Sequence, residues 1–166
     1  MGTVSSEELQ NSLTQGLSKL TIEATSEQQK KLLTLLEQLV KWNKAYNLTA
    51  IKSPKEGLIL HILDSLAVLP HTSQPSLLDV GTGAGFPGLP LAIMLPNTQF
   101  TLLDSNSKKV RFIQQMVHLL ALNNVEAVHS RVESYSNQGV DAVISRAFAS
   151  IEDMVLQTKH LLNSNG

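Results

Sequence analysis

Apolar positions recur at helical steps through the first seventy residues, then give way to short apolar runs separated by glycine, proline and asparagine. Leu9, Leu13, Leu17 and Leu20 follow one another at steps of four, four and three, behind Ser5 and Glu8 at capping-box spacing. The stripe Leu32, Leu33, Leu36, Leu39 and Val40 predicts a second helix running toward Tyr46, started by Ser26 with Gln29 three residues on. "SPKE" predicts a third, with Ser53 as N-cap, Pro54 at the first helical position and Glu56 at the third. It carries Leu58, Ile59, Ile62, Leu63 and Leu66 and stops before Pro70. Between the last two lies "WNKAYNLTAIK", a helix end and a loop rich in asparagine.

After "HTSQPS" the pattern alternates between strands and helices. Strands are predicted at 77–80, 100–103, 125–128 and 142–144, and helices at 89–95, 108–120 and 151–162, the last behind Ser150 and Asp153 at capping-box spacing. Such alternation with short connections implies a parallel sheet covered on both faces. The expected organisation is a helical extension over residues 1–70 and a Rossmann-like α/β core over 71–166. Four strands leave an edge exposed, and "LLNSNG" closes a helix where a further strand is due, so a core truncated at its carboxyl end is expected.

Composition narrows the function classes only where it is extreme. With no cysteine, thiol nucleophiles, disulfides and Cys-based zinc sites are excluded. Aromatic residues at 4% argue against a stacking platform for single strands, and a net charge of −1 predicts no strong pull on polyanions. The N-terminus lacks the basic-then-apolar order of a secretory signal; "MGTVSS" loosely fits a myristoylation pattern, against which the start of a capped helix is the preferred reading. The apolar stretch 58–69 is broken by His61 and Asp64 and cannot span a bilayer. A soluble cytoplasmic chain, with no membrane partner and no bound metal, is expected.

The candidate chemistry centres on "LLDVGTGAGFPGLPLAIMLPN" at 77–97. Glycines after a buried strand let the backbone approach a ligand, and Gly83, Gly85 and Gly88 satisfy G-x-G-x-x-G. The turn suits a dinucleotide, S-adenosylmethionine (SAM), a phosphate or no ligand at all. Two features tip the balance to SAM. Asp79, two residues before Gly81, is expected to face the ligand, where it would oppose a pyrophosphate and suit an ammonium or sulfonium. Pro87 offers no N–H to a phosphate. Asp104, at the end of the second predicted strand, suits ribose hydroxyls; as an alternative it caps the next helix. In "SRVESY", Val132 and Glu133 lie where an adenine would rest, Val132 packing on the ring and Glu133 or backbone groups reading its edge; as an alternative Glu133 is a solvated loop residue.

Taken together, "WNKAYNLTAI", "HILDSLAVLP", "LLDVGTGAGFPGLPLAI", "FTLLDSNSKKVRFIQQ", "SRVESY" and "DAVISRAFAS" resemble the bacterial small-subunit rRNA guanine-N7 methyltransferases, the RsmG or glucose-inhibited division protein B family. The resemblance spans residues 26–162. It implies a class I SAM-dependent methyltransferase fold and methylation of N7 on one guanine in the decoding-region loop of 16S rRNA. By motif it implies SAM contacts at Gly81, Phe86, Val132, Glu133 and Arg146, with Gly83, Gly85 and Asp104 following from the general class pattern. Guanine N7 is an unprotonated lone pair at neutral pH, so no general acid or base is nominated; alignment in a desolvated pocket carries the rate.

The acceptor side has fewer candidates. Arg146 follows the fourth strand and suits the SAM carboxylate, guanine O6 or a phosphate, or else a structural ion pair. Asn43 and Asn47 suit guanine edges or helix-end turns. His61 and Asp64, three apart on one helical face, suit a mutually oriented pair near the pocket or, as the alternative, a partly buried structural pair. Lys108, Lys109 and Arg111, with Lys41, Lys44, Lys52 and Lys55, are solvated faces unless the fold gathers them. So little positive charge favours action on an assembled small ribosomal subunit over a grip on bare 16S rRNA; a monomer is expected. A nucleotide-binding oxidoreductase using NAD and a non-catalytic RNA or ribosome binder are the alternatives.

Overall fold

A computed structural model describes residues 4–137 and 139–166; the myristoylation pattern begins on residues outside that range. Two long helices come first. Helix α1 (Ser6–Lys19) opens on a reciprocal capping box between Ser5 and Glu8 and buries Leu9, Leu13 and Leu17. Helix α2 (Ser26–Tyr46) is capped by Thr25 and Gln28, one residue earlier than the Ser26–Gln29 pair predicted. The sequence "TSEQQ" offers both pairs. Gln29 is drawn instead to the Ala24 carbonyl and to Gln10 of α1, which settles the competition.

The third predicted helix is not uniform. It starts as α3 (Pro54–Gly57) on the Ser53 cap, widens into a π turn over Leu58–Leu63, and returns to α-geometry in α4 (Asp64–Leu66). Strands β1 (Ser76–Val80), β2 (Gln99–Asp104), β3 (Val125–His129) and β4 (Ala142–Ile144) form one parallel sheet in the order β3-β2-β1-β4. Helices α5 (Gly88–Met94), α6 (Ser107–Leu119) and α7 (Ile151–Thr158) connect or follow them.

Strand alternation sorts β1 cleanly. Leu77 packs into a large core with α5, Phe100 and the leucines of α1 and α2, while Leu78 and Val80 join a smaller cluster with Leu103 and Leu161 on the opposite face. The larger cluster runs without a break from Leu9 in α1 to Met116 in α6, so the N-terminal helices cover one face of the sheet. Asn124, nearly fully buried, ties α5 to the sheet by donating to the carbonyls of Ala92, Leu95 and Thr98. Just before β4, Val140 forms a parallel bridge with Leu162, which follows α7.

Candidate functional site

The carboxyl ends of the four parallel strands converge on the glycine turn, the place where open α/β sheets bind ligands. Gly81, Gly83 and Gly85 all adopt positive φ (66°, 64° and 98°), a conformation that side chains disfavour. A Cβ at Gly81 would collide with Ala147, so the chain after β4 passes directly over the turn. Gly85 has another job. It is buried against Leu89 and Ile113 and lines neither cleft described below. Gly88 lets α5 close on β2, where a Cβ would strike Leu102.

Two clefts meet at Gly81. The larger, about 330 Å³, runs from Gly81 and Ala147 past Asp104 and Ser105 to Val132 and Glu133. Asp104 Oδ2 accepts from the Gly83 N–H (2.8 Å) and its Oδ1 from the Asn106 N–H (2.8 Å). Helix α6 is capped by Asn106, not by Asp104. A carboxylate has about four acceptor positions, so Asp104 has spare capacity for hydroxyl donors in the cleft.

The smaller cleft, about 180 Å³, lies on the other side of the turn, walled by Gly81, Gly83, Phe86, Thr49, His61 and Arg146. Thr49 reaches it because Asn43, buried at the end of α2, holds the following loop: its Oδ1 accepts from the Thr49 N–H and its Nδ2 donates to the Ile51 carbonyl. Thr49 Oγ1 and His61 Nε2 share a hydrogen bond of 2.9 Å, and the His61 ring stacks on Phe86 at 4.8 Å. Burial, and secondarily the Arg146 charge, hold the His61 pKa below its ordinary value, so the imidazole is neutral at pH 7.

Several expectations need correction. Asp79 does not face the ligand. Alternation along β1 places it on the α5 side with Leu77, where it is fully buried and its Oδ2 accepts from Thr82 Oγ1 (2.7 Å) and the Gly88 N–H (2.9 Å). Burial raises its pKa to about 7, against the opposing pull of those two bonds. It therefore braces the turn from beneath, and its charge does not discriminate SAM from a dinucleotide. His61 and Asp64 do not pair either. A π turn holds more residues than an α turn, so positions three apart diverge around the helix. His61 turns to Thr49, and Asp64 to Arg146, whose Nη1 lies 2.8 Å from Asp64 Oδ2. Both polar ends of the Asn43 side chain are spent on the loop, which removes it from the base-reading candidates. Asn47 is the left-handed C-cap of α2, with φ 50° and an exposed side chain.

The structure thus brings Gly81, Asp104, Val132 and Glu133 to one cleft, and Gly81, Gly83, Phe86, His61 and Arg146 to the other. Sequence reasoning missed Thr49, Thr82 and the covering pair Ala147–Phe148. Ala147 and Phe148 stand inside the run "VISRAFAS", so the signal for them was present. Among the described residues no cluster of His, Cys, Asp and Glu has metal-holding geometry, and no helix is long and apolar enough to cross a membrane.

The family model for rRNA small subunit methyltransferase G (GidB) matches residues 28–166. The chain belongs to that family. A relative in Alteromonas mediterranea, named ribosomal RNA small subunit methyltransferase G, is 50% identical over 161 residues, 96% of this chain and 76% of that protein. A relative of the same name in Photobacterium profundum is 50% identical over 93% of this chain and 75% of its own length. Among solved structures, coclaurine N-methyltransferase bound to N-methylheliamine and SAH superposes with a TM-score of 0.58 at 16% identity, covering 98% of this chain and 58% of that one. A SAM-dependent methyltransferase from Aquifex aeolicus superposes at 0.52 with 24% identity, over 65% of this chain and 62% of its own. These place the fold in the class I methyltransferases. For the small subunit methyltransferase G family, membership does the discriminating work that Asp79 does not.

Proposed function

We propose that this chain transfers a methyl group from SAM to N7 of a guanine in 16S rRNA. The observation that carries the proposal is the pair of clefts meeting at Gly81, in a chain half identical to proteins named for that rRNA subunit. The residues fit the cofactor. Asp104 has free acceptor positions for the ribose hydroxyls, and Val132 and Glu133 offer an apolar contact and an acceptor for the adenine. Gly81 and Gly83 provide bare backbone at the junction, where the methionine portion would pass into the smaller cleft beside Arg146.

When bound, SAM supplies an electrophilic methyl group on a cationic sulfur. That methyl would pass to the guanine N7 lone pair with the S–CH3 bonding pair left on sulfur, so a thioether and a cationic 7-methylguanine would result. No proton moves, so the chain needs no general base. Its task is to align the two reactants and exclude water, an effect worth several powers of ten in rate. Neutral His61 suits this task, since it adds no positive charge where the product base becomes cationic.

Low net charge favours an assembled small ribosomal subunit as the substrate. The test is calorimetric titration of the chain with SAM and with NAD, followed by transfer of labelled methyl to small subunits lacking the modification. Heat with SAM and label on one guanine is the expected result. Heat with NAD alone overturns the reading, and RNA binding without transfer identifies a non-catalytic binder.

A further inference from the structure

We propose that the groove beside the Arg146–Asp64 ion pair receives the acceptor base, and that Asp64 reads its N1–H and N2–H edge. The proposal rests on the reading that the acceptor is a guanine. The groove, about 380 Å³, is walled by Val68, Pro87, Ile144 and Met154, with Asp64 and Arg146 as its charged groups. Mostly apolar walls with a few convergent polar groups are the usual make-up of a small-molecule site, and this volume falls within the usual range. Arg146 also lines the smaller cleft at the glycine turn, so an occupant of the groove lies one side chain away from that cleft.

The two charged groups select the base. The Watson–Crick edge of guanine presents two donors, N1–H and N2–H, beside one acceptor, O6. An ionised carboxylate only accepts and can take both donors; a guanidinium only donates and can take O6. Adenine presents a bare N1 acceptor that a carboxylate repels. The other edge of guanine carries only the acceptors N7 and O6, so Asp64 can bind guanine through its N1/N2 edge alone. That contact leaves N7 on the opposite side of the purine, free to react. Enzymes that modify extruded bases commonly hold them by this edge against apolar walls.

The present partner of Asp64 does not oppose this exchange. Arg146 and Asp64 are 41% and 58% exposed, and an ion pair in that setting is worth about 0–1 kcal/mol. Trading one Arg146 bond for two bonds from the base is therefore favourable once the base is desolvated. Until then the pair holds both side chains at the mouth of the groove. The π turn matters here, because it directs Asp64 toward Arg146 while His61 faces Thr49.

The test compares two short oligouridines, one carrying a single guanosine and the other a single inosine, which lacks the N2 amino group and keeps N1–H, O6 and N7. Binding of each is measured for the unaltered chain, Asp64→Asn and Asp64→Ala, with thermal unfolding as a fold control. The unaltered chain should prefer guanosine by about tenfold or more, the loss expected for one hydrogen bond to a charged group. In both variants the preference should fall to within about threefold, with little change in melting temperature. Full preference in the variants, or none in the unaltered chain, overturns the proposal. Methyl transfer to small subunits without inosine discrimination leaves the activity standing and removes this site. Discrimination without transfer does the reverse.

Discussion

Replacing Asp79 with asparagine should change how stability depends on pH more than it changes stability itself. The carboxyl is fully buried, and its pKa is raised from 3.8 to about 7. That displacement corresponds to about 4 kcal/mol of preference for the protonated form in the folded chain. Below pH 3.8 both folded and unfolded chains hold the proton. Between there and about pH 7 only the folded chain holds it, so stability falls as pH rises through this window and is level above it. About 2–3 kcal/mol of the fall lies between pH 5 and 8. In Asp79→Asn the amide oxygen can accept from Thr82 and Gly88, as Oδ2 does now. The amide nitrogen then takes the place of Oδ1, which is buried with no partner among the described residues, at a cost of about 1–3 kcal/mol. The variant should be the less stable protein at pH 5 and match or exceed the original at pH 8. Urea unfolding of both at several pH values, with the slopes checked for equality, reads this directly. The lowered pKa of His61 acts in the opposite direction, destabilising below pH 6.5, but it is common to both proteins and cancels in the difference. A difference that stays constant from pH 5 to 8 would refute the reasoning, since Asp79 would then be ionised in the folded chain throughout.

Three other changes test the site by separate routes. Gly81→Ala puts a side chain at φ 66° and into Ala147; unfolding should show a loss of about 1–3 kcal/mol and calorimetry a SAM affinity at least tenfold weaker, as both clefts lose their common wall. Asp104→Asn sets an amide donor against the N–H of Gly83 or Asn106, so SAM binding should weaken about tenfold while the acceptor KM is unchanged. Asn43→Ala strands the Thr49 N–H and the Ile51 carbonyl, costing about 1–3 kcal/mol in urea unfolding; the slackened loop should raise the KM for small subunits more than that for SAM.

What could be foreseen from the sequence, and what could not, divides by the range of the interactions involved. Ser5 with Glu8, Ser53 with Glu56, and the switch from helical to alternating period are local, and each leaves its mark within a few residues. The burial of Asp79 is local too: it stands two residues from Leu77 and so on the same, core-facing side of β1, whatever charge a ligand at the turn carries. The π turn at 58–63 is different. Its apolar spacing matches an α-helix equally well, and the wider turn is seen only in the company it keeps, with Gly16 of α1 lying so close to Leu63 that a Cβ there would collide. From that one widened turn follow the separation of His61 from Asp64 and the pairing of Asp64 with Arg146, eighty-two positions away in the chain.

The same holds for the wall of the smaller cleft. "NLT" reads as an ordinary loop, yet Leu48 and Thr49 line the site because Asn43 grips the loop from inside α2 while His61 holds Thr49 from the π turn. Two contacts from two elements converge on one threonine, and His61 carries the arrangement on to Phe86 in the glycine turn. The N-terminal helices therefore do more than cover a sheet face. Through Asn43, Thr49 and His61 they set one wall of the cleft, which makes the position of Phe86 beside the cofactor turn depend on residues that no local motif marks.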